Sequence, residues 1–131
     1  DSVRFCGFQN RNEISKYYAM ADLLVLPSKR ETWGIVVNEA MCFALPIISS
    51  IQVGAARDLV KDGVNGFVYQ SGDVATLTKQ IQELADMTDG ERNAMGAKSR
   101  ELMERWVMQD LGESLSQYFD TINSHESPLP T

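Results

Sequence analysis

Two patterns of hydrophobic and polar positions divide the chain. In the first half, short apolar runs alternate with stretches of helical spacing, and turn-forming residues bound each run. The runs predict four strands, at Val3–Phe8, Leu23–Leu26, Pro46–Ser49 and Phe67–Tyr69. The second half shows helical spacing only. Strands that alternate with helices predict an α/β fold, a Rossmann-like doubly wound parallel sheet, here with a helical C-terminal part.

The helical spacings locate the predicted helices. Asn12 is suited to cap the first helix, which runs through Ala21, and only one of the adjacent Tyr17 and Tyr18 can face the core. Further helices are predicted at Gly34–Phe43, at Ala55–Val60, after a cap at Asp73, at Glu91–Trp106, and around Leu111, Leu115, Tyr118, Phe119 and Ile122. We expect one partial domain over residues 1–123 and a flexible tail over residues 124–131, because chain ends are poorly ordered unless tied down.

Composition and charge narrow the class of protein. The chain has 131 residues, of which 44% are hydrophobic and 23% charged, as is typical of a single globular domain. Eighteen acidic residues against twelve basic ones give a net charge of −6, which argues against binding to nucleic acid or to an anionic membrane. The longest nearly unbroken apolar stretch, Ala40–Ile48, is far shorter than the ~20 residues of a membrane span. The start of the chain has neither a signal-peptide pattern nor an initiator methionine, so we expect a piece of a longer cytoplasmic protein.

The cysteines and the histidine limit the chemistry. Cys6 and Cys42 stand 36 positions apart, without the spacing of a metal site, and we expect two buried thiols in a reducing compartment. The only histidine, His125, lies in the predicted tail. Its position argues against a histidine-based catalytic triad or a zinc site within the chain.

The loop that follows Leu26 carries the candidate chemistry. In a parallel sheet of this class, ligands bind outside the carboxyl ends of the strands. Here a polar loop leads to Gly34, which opens a helix, and the free N–H groups and partial positive charge of a helix N-terminus suit a phosphate. Glu31 and Glu39, eight positions apart, would lie on either side of that helix entrance. Carboxylates accept hydrogen bonds from sugar hydroxyls, so the arrangement matches a nucleotide sugar, with its ribose, diphosphate and hexose.

Other interpretations of this loop stay open. Ser28 and Glu31 have the spacing of a capping box, which would start the helix earlier and leave Glu39 as an exposed helix residue. That helix would contain Gly34, at a cost of ~1 kcal/mol. Trp33 suits either stacking on a ligand or packing against its own helix. The local pattern does not decide between these interpretations.

The same segment resembles a known family, the retaining GT-B-fold glycosyltransferases called family four or group one. The Glu-x7-Glu motif of that family is matched by the run Pro27-Ser28-x-x-Glu31-x-Trp33-Gly34-Ile35-Val36-x-x-Glu39-Ala40-Met41. The similarity continues through Leu45–Ile48 and Asp62–Phe67. The sequence departs from the family where Ala44 and Ala55 replace expected glycines, and a left-handed helix end is less comfortable at Ala44. The resemblance identifies the chain as part of the C-terminal, donor-binding domain of such an enzyme.

The resemblance implies a role for each matching position. Glu31 is the expected catalytic residue and would bind hydroxyls of the donor sugar. The donor would also be bound by backbone amides near Trp33, Gly34 and Ile35, by packing of Val36 near the ribose, and by Glu39 at the ribose hydroxyls. The family implies transfer of a hexose from a nucleoside-diphosphate sugar with retention of anomeric configuration, the leaving diphosphate taking the proton of the acceptor. It implies no bound metal and no cofactor.

The resemblance also implies partners outside this chain. An acceptor glycan or lipid-linked sugar would bind to an upstream domain, in polysaccharide biosynthesis, with the full-length protein peripheral at the inner face of the membrane. Open strand edges and an uncovered face of the last helix would favour self-association of the isolated chain. The alternatives are a nucleotide-sugar epimerase or phosphorylase-like enzyme, and a non-catalytic Rossmann-like binding or signalling module. A receiver module would need an acidic residue at the strand end where Leu26 is followed by Pro27 and Ser28.

Overall fold

A parallel sheet forms the centre of the chain. The computed structural model describes the backbone of residues 3–125 and the side chains of residues 3–10 and 12–117. The sheet has three strands, β1 (Leu24–Leu26), β2 (Ile47–Ser50) and β3 (Gly66–Tyr69), which lie side by side in that order and run parallel. The helices are α1 (Arg11–Met20), α2 (Ile35–Cys42), α3 (Gly54–Leu59), α4 (Val74–Asp86) and α5 (Asp89–His125). The predicted α/β fold with a parallel sheet and a helical C-terminal part is confirmed.

Neighbouring strand residues face two separate hydrophobic cores. Ile47 of β2 belongs to a core formed with α2, α3 and the middle of α5, whereas Ile48 belongs to a core on the other face with Leu84 of α4. Successive side chains of a strand point to opposite faces, so a strand covered on both faces appears in the sequence as an unbroken apolar run. For this reason the sequence predicts the ends of these three strands to within one residue.

The early turns of the last helix lie at the amino edge of the sheet. Gly96 of α5 approaches the chain before β2 so closely that a side chain at this position would overlap the carbonyl oxygen of Ala44. The hydroxyl of Ser99 donates to the carbonyl oxygen of Asn65, just before β3, over 3.2 Å. Helix α5 therefore covers the amino ends of β2 and β3 at Gly96 and Ser99. Its following turns pack, through Met103 and neighbouring residues, against the core formed with α2 and α3.

Two helix predictions need correction. Helix α1 is capped by Asn10, whose side chain accepts hydrogen bonds from the N–H groups of Asn12 and Glu13 over 3.0 and 3.1 Å, so Asn12 is not the cap. The two helices predicted after Gly90 are one continuous helix, α5. No proline interrupts this part of the sequence, and ion pairs between successive turns, such as Arg100 with Glu104 at 3.1 Å, support it.

The segment Val3–Phe8 is not a strand, contrary to the prediction. It has no regular secondary structure, and Val3, Phe5 and Phe8 expose 69%, 95% and 96% of their surface. An extended segment becomes a strand only when a neighbouring strand satisfies its backbone N–H and C=O groups. Within residues 3–125 this segment pairs with no strand, so its apolar alternation alone does not make it one.

The two cysteines are free and exposed, so the expectation of buried thiols is wrong. Cys6 lies in the unpaired N-terminal segment, and Cys42 lies at the end of α2, outside the buried face of that helix. That face consists of Val37, Asn38, Ala40 and Met41. The expectation for the tyrosine pair is confirmed, because Tyr18 is buried and Tyr17 is exposed.

Ala44 follows α2 in a left-handed conformation. Its φ of 56° is positive, which among the described residues is otherwise seen only at glycines. A side chain at positive φ costs about 1–2 kcal/mol relative to the right-handed region, a cost that glycine avoids. The structure therefore agrees with the expectation that alanine is less favourable than glycine at this helix end.

The far part of α5 has an exposed apolar stripe. Leu111 and Leu115 expose 52% and 56% of their surface. The side chains of Tyr118, Phe119 and Ile122, which the sequence assigns to the same stripe, lie outside the described residues. The backbone of α5 is described to His125, and residues 126–131 lie outside the described part of the chain. Self-association, the domain limit at residue 123 and the flexible tail stay predictions.

Candidate functional site

The loops that follow β1 and β2 meet at the carboxyl edge of the sheet. The backbone of Glu31 donates to the carbonyl oxygen of Gln52 over 3.3 Å and accepts from the N–H of Gly54 over 3.3 Å. The carbonyl oxygen of Trp33 accepts from the N–H of Ala55 over 2.8 Å. These backbone hydrogen bonds fix the chain before α2 to the start of α3, independently of the side chains.

Two glycines permit this close approach. Gly34 has a φ of 88°, and a Cβ atom there would lie 2.7 Å from Cγ1 of Val53. A side chain at Gly54 would overlap the carbonyl oxygen of Thr32. We call residues 31–34 the motif loop. Its path depends on the absence of a side chain at both glycines.

The capping-box interpretation of the motif loop is wrong. Helix α2 begins at Ile35 with Gly34 as its N-cap, so Ser28 does not start it. No side chain caps this N-terminus, and Ile35 exposes 60% of its surface, while Val36 is half-buried. An uncapped helix N-terminus presents free N–H groups and a partial positive charge, which together suit an anion such as a phosphate.

Glu31 has a fixed backbone and a free side chain. The hydrogen bonds of its main chain hold it to the loop after β2, while its side chain is exposed to solvent. Among the described residues, no side chain or backbone group forms a hydrogen bond or ion pair with its carboxylate. The carboxylate of Glu31 is therefore available as an acceptor at the carboxyl edge of the sheet.

Glu39 has the opposite arrangement, because another side chain holds its carboxylate. Glu39 lies on α2 and is half-buried, and its Oε2 accepts a hydrogen bond of 2.9 Å from the hydroxyl of Tyr18 on α1. Burial, the hydrogen bond and the nearby charge of Glu39, in that order, raise the pKa of Tyr18 above its ordinary value. Tyr18 therefore keeps its proton and acts as the donor.

Trp33 connects the motif loop to two helices. Its Nε1 donates to Oδ1 of Asn38 on α2 over 2.9 Å, and its ring stacks on Trp106 of α5 with ring centroids 5.7 Å apart. Asn38 is buried, and its Nδ2 donates to Sδ of Met103 over 3.5 Å. The indole therefore hydrogen-bonds to its own helix and stacks on α5. Stacking of Trp33 on a ligand stays a prediction.

Sequence reasoning missed two residues that shape the site. It identified Tyr18 only as one of a pair of which one member is buried, and it did not single out Asn38. The helical spacing places Tyr18 on the inner face of α1, but nothing in the sequence indicates that this face meets Glu39, 21 positions later. The available signal for Asn38 was a polar residue among the apolar residues of the predicted helix, one position before a predicted ligand residue.

The described part of the chain contains neither a metal-binding cluster nor a helix that could span a membrane. Among those residues, no group of three or more histidine, cysteine, aspartate or glutamate side chains is placed to hold a metal ion. None of the helices, over the residues that the structure describes, combines the length and the apolar character needed to cross a membrane. The absence of a bound metal and of a cofactor stays a prediction of the resemblance.

Comparison with known families and sequences agrees with the motif. A family model described as glycosyl transferases group 1 matches residues 1–102. The chain is 34% identical over 106 residues to the sulfoquinovosyl transferase of Arabidopsis thaliana, a match that covers 78% of this chain and 20% of that protein. It is 30% identical over 122 residues to an N-acetyl-alpha-D-glucosaminyl L-malate synthase of Bacillus anthracis, covering 93% of this chain and 30% of that protein.

Comparison with solved structures supports the fold. A sucrose-phosphate synthase from Thermosynechococcus elongatus matches with a TM-score of 0.65 and 29% identity, over 80% of this chain and 27% of that protein. The Anabaena protein HepE, solved in complex with UDP-glucose, matches with a TM-score of 0.64 and 25% identity, over 78% of this chain and 29% of that protein. The chain spans between 20% and 30% of the length of the relatives named here.

Proposed function

This chain belongs to the group 1 glycosyl transferases, and on that premise we propose that it is the donor-binding portion of a hexosyltransferase. The enzyme moves a hexose from a nucleoside-diphosphate sugar to an acceptor with retention of anomeric configuration. The observation that carries the proposal is the uncapped N-terminus of α2, with the exposed Glu31 in the loop just before it and Glu39 four positions after the first residue of the helix. The complex of the related HepE with UDP-glucose supports this class of donor.

The charges at the carboxyl edge of the sheet indicate which residues bind the diphosphate, the hexose and the ribose of the donor. The diphosphate binds at the start of α2, where the amides near Gly34 and Ile35 and the helix dipole favour negative charge. A carboxylate repels a phosphate, so the two glutamates bind the uncharged polyol parts on either side of it. Glu31 in the solvent-facing motif loop accepts from the hexose hydroxyls, and Glu39 accepts from the ribose hydroxyls. Val36 packs near the ribose.

The proposed reaction needs positioning more than a general base in this chain. The bond between the anomeric carbon and the diphosphate oxygen breaks, and the acceptor hydroxyl oxygen forms its bond to that carbon on the same face of the sugar. The departing diphosphate takes the hydroxyl proton. The amides at the start of α2 stabilise the negative charge that grows on the leaving group. Glu31 orients the hexose for attack.

The acceptor is bound by parts of the enzyme outside this chain. A glycan or a lipid-linked sugar is the proposed acceptor, as in polysaccharide biosynthesis at the cytoplasmic face of a membrane. Because catalysis by positioning requires donor and acceptor to be held together, the 131-residue chain alone should transfer no sugar. A labelled-donor assay checks this, and transfer above background by the purified chain would contradict it.

Substitution of the two glutamates in the full-length protein tests the division of roles. Glu39→Ala should weaken binding of free UDP, GDP or ADP by about 1.5–3 kcal/mol, or roughly 10- to 150-fold in Kd, because a charged hydrogen-bond partner is lost. Glu31→Ala should leave this affinity unchanged and lower turnover of the sugar donor. Calorimetry measures the first quantity, and a transfer assay the second.

Glu83→Ala, which changes an exposed carboxylate on α4, is the matched control and should alter neither quantity. Equal behaviour of the Glu31 and Glu39 variants would contradict the assignment of hexose and ribose to different carboxylates. Nucleotide-sugar binding without any turnover by the unmodified protein would identify a binding scaffold instead of an enzyme.

A further inference from the structure

We propose that Tyr18 is a positioning residue that orients the carboxylate of Glu39 toward the ribose hydroxyls of the donor. The inference rests on the proposed function, because it assigns the support of a residue that the function places at the ribose. It goes beyond the motif, since Tyr18 lies on a different helix, 21 positions before Glu39.

Burial and ring packing hold the side chain of Tyr18 in one position. Its side chain is 8% exposed, and its ring packs against that of Phe43 with centroids 5.5 Å apart. This packing holds the phenol between α1 and the end of α2, with its hydroxyl 2.9 Å from Oε2 of Glu39. Because the ring is buried, Tyr18 has little rotamer freedom and its hydroxyl keeps one position. The hydrogen bond therefore fixes one carboxylate oxygen of Glu39, whose side chain is otherwise flexible.

The chemistry leaves Glu39 free to bind a diol. An ionised carboxylate has two oxygens and about four lone-pair sites, and the single proton of Tyr18 occupies one of them. Oε1 and the remaining lone pairs can then accept from two adjacent hydroxyl groups, which the 2′ and 3′ positions of ribose provide. The raised pKa of Tyr18 supports this arrangement, because the phenol stays a donor and adds no negative charge beside Glu39.

The residues around Glu39 also support its orientation by Tyr18. Glu39 lines an open pocket of about 310 Å³ between α1 and α2, together with Ile14, Ser15, Tyr18, Cys42 and Phe43. None of these lining residues is basic, so no cation in the described lining competes with Tyr18 for the carboxylate. Within that lining, Tyr18 is the residue that donates a hydrogen bond to Glu39, and the pocket offers space for a ligand beside the two residues.

The test compares Tyr18→Phe with Tyr17→Phe in the full-length protein. Tyr18→Phe keeps the ring that packs on Phe43 and removes only the hydroxyl, while Tyr17→Phe removes the hydroxyl of the exposed neighbour on the same helix. The probes are whichever of UDP, GDP and ADP binds to the unmodified protein and the 2′,3′-dideoxy form of that nucleotide. Calorimetry gives Kd for each, and thermal melting shows that the variants are folded.

The expected result separates positioning from packing. Tyr18→Phe should weaken binding of the ribonucleotide about three- to tenfold and leave binding of the dideoxy nucleotide unchanged. Tyr17→Phe should change neither. In a Glu39→Ala background the further effect of Tyr18→Phe should vanish, because the group that it orients is gone.

Other outcomes overturn the inference in distinguishable ways. An equal loss of affinity for both nucleotides would mean that Tyr18 supports only the packing of α1 and α2. Unchanged affinity for both, in a variant that melts normally while Glu39→Ala weakens the ribonucleotide, would mean that Glu39 needs no orientation. If Glu39→Ala itself has no effect on ribonucleotide binding, the role of Glu39 in the proposed function fails, whatever Tyr18 does.

Discussion

The motif loop and the helix that follows it are held in place by different kinds of interaction. Backbone hydrogen bonds tie the motif loop to residues 52–55, and two glycines let the chains approach. Helix α2 is instead fixed through side chains, with Glu39 bound to Tyr18 and Asn38 bound to Trp33. The two glutamates of one short motif therefore depend on two separate sets of supports.

This difference predicts which substitutions near Glu31 and near Glu39 will change the position of each glutamate. The position of Glu31 should be insensitive to most side-chain changes nearby and very sensitive to any new Cβ atom at the contact with α3. The position of Glu39 should respond to the loss of single polar atoms on other helices. Trp33 belongs to both regions, because it lies in the motif loop and donates to Asn38 on α2.

Gly54→Val should have the largest effect on stability, because it disrupts the backbone contact between the motif loop and the start of α3. The new side chain would overlap the carbonyl oxygen of Thr32, so the loop or the start of α3 must move. We expect a loss of about 3 kcal/mol in the free energy of unfolding, measured by urea denaturation, and loss of donor binding in the full-length protein.

The control for this prediction is Gly112→Ala. Gly112 lies within α5 with no heavy atom within 4 Å of an added Cβ, so alanine should stabilise the helix by about 0.5–1 kcal/mol. A Gly54→Val protein as stable as the unmodified one would mean that the contact between the motif loop and α3 is not needed.

Trp33→Phe should have an intermediate effect, because it breaks the connection between the two regions. Phenylalanine retains an aromatic ring for Trp106 but removes the donor to the buried Oδ1 of Asn38. An unsatisfied buried acceptor costs about 1–3 kcal/mol, and thermal or urea unfolding would measure the loss.

A second variant sharpens this test. In Trp33→Phe combined with Asn38→Leu, both polar partners are replaced by apolar groups, and part of the lost stability should return. Additive losses in the double variant would indicate that the indole stabilises the protein by packing alone and that its hydrogen bond contributes nothing.

Ala44→Gly should have the smallest effect, and a favourable one, at the end of α2. Glycine removes the cost of a side chain at a φ of 56° and adds freedom to the unfolded chain, which leaves a net gain of about 0.5 kcal/mol. Calorimetric melting would show a higher Tm. The control Ala97→Gly, at an exposed position within α5, should lower Tm, and a lower Tm in both variants would contradict the strain at Ala44.

Much of the candidate site could be predicted because its features are neighbours in the sequence. The apolar run before Pro27, the polar loop and the glycine at the helix start are adjacent in the sequence, and they predict a strand, a ligand loop and a helix at the carboxyl edge of a parallel sheet. The start of α2 was predicted at Gly34 and lies at Ile35. The competing capping box at Ser28 used equally local rules, and the positive φ of Gly34 together with its contact to Val53 decided against it.

Where partners are distant in sequence, the local pattern was insufficient. Val3–Phe8 has the composition of a strand, but a strand exists only where another strand supplies its hydrogen bonds, and the described chain supplies none. Cys42 was expected to be a buried thiol, because its spacing from Cys6 suits no metal site, yet it lies outside the buried face of α2.

The spacing of neighbouring residues was enough to predict strands β1, β2 and β3 and the polar loop that leads from β1 to α2, because each of these features depends on a short stretch of sequence. The hydrogen bond from Tyr18 to Glu39 and the packing of Trp33 on Trp106 are seen only in the folded chain. Such contacts join residues on different helices, and the angle and depth at which two helices pack depend on all the side chains between them. A hydrogen bond of 2.9 Å across that contact is therefore a property of the folded molecule and not of any segment of its sequence.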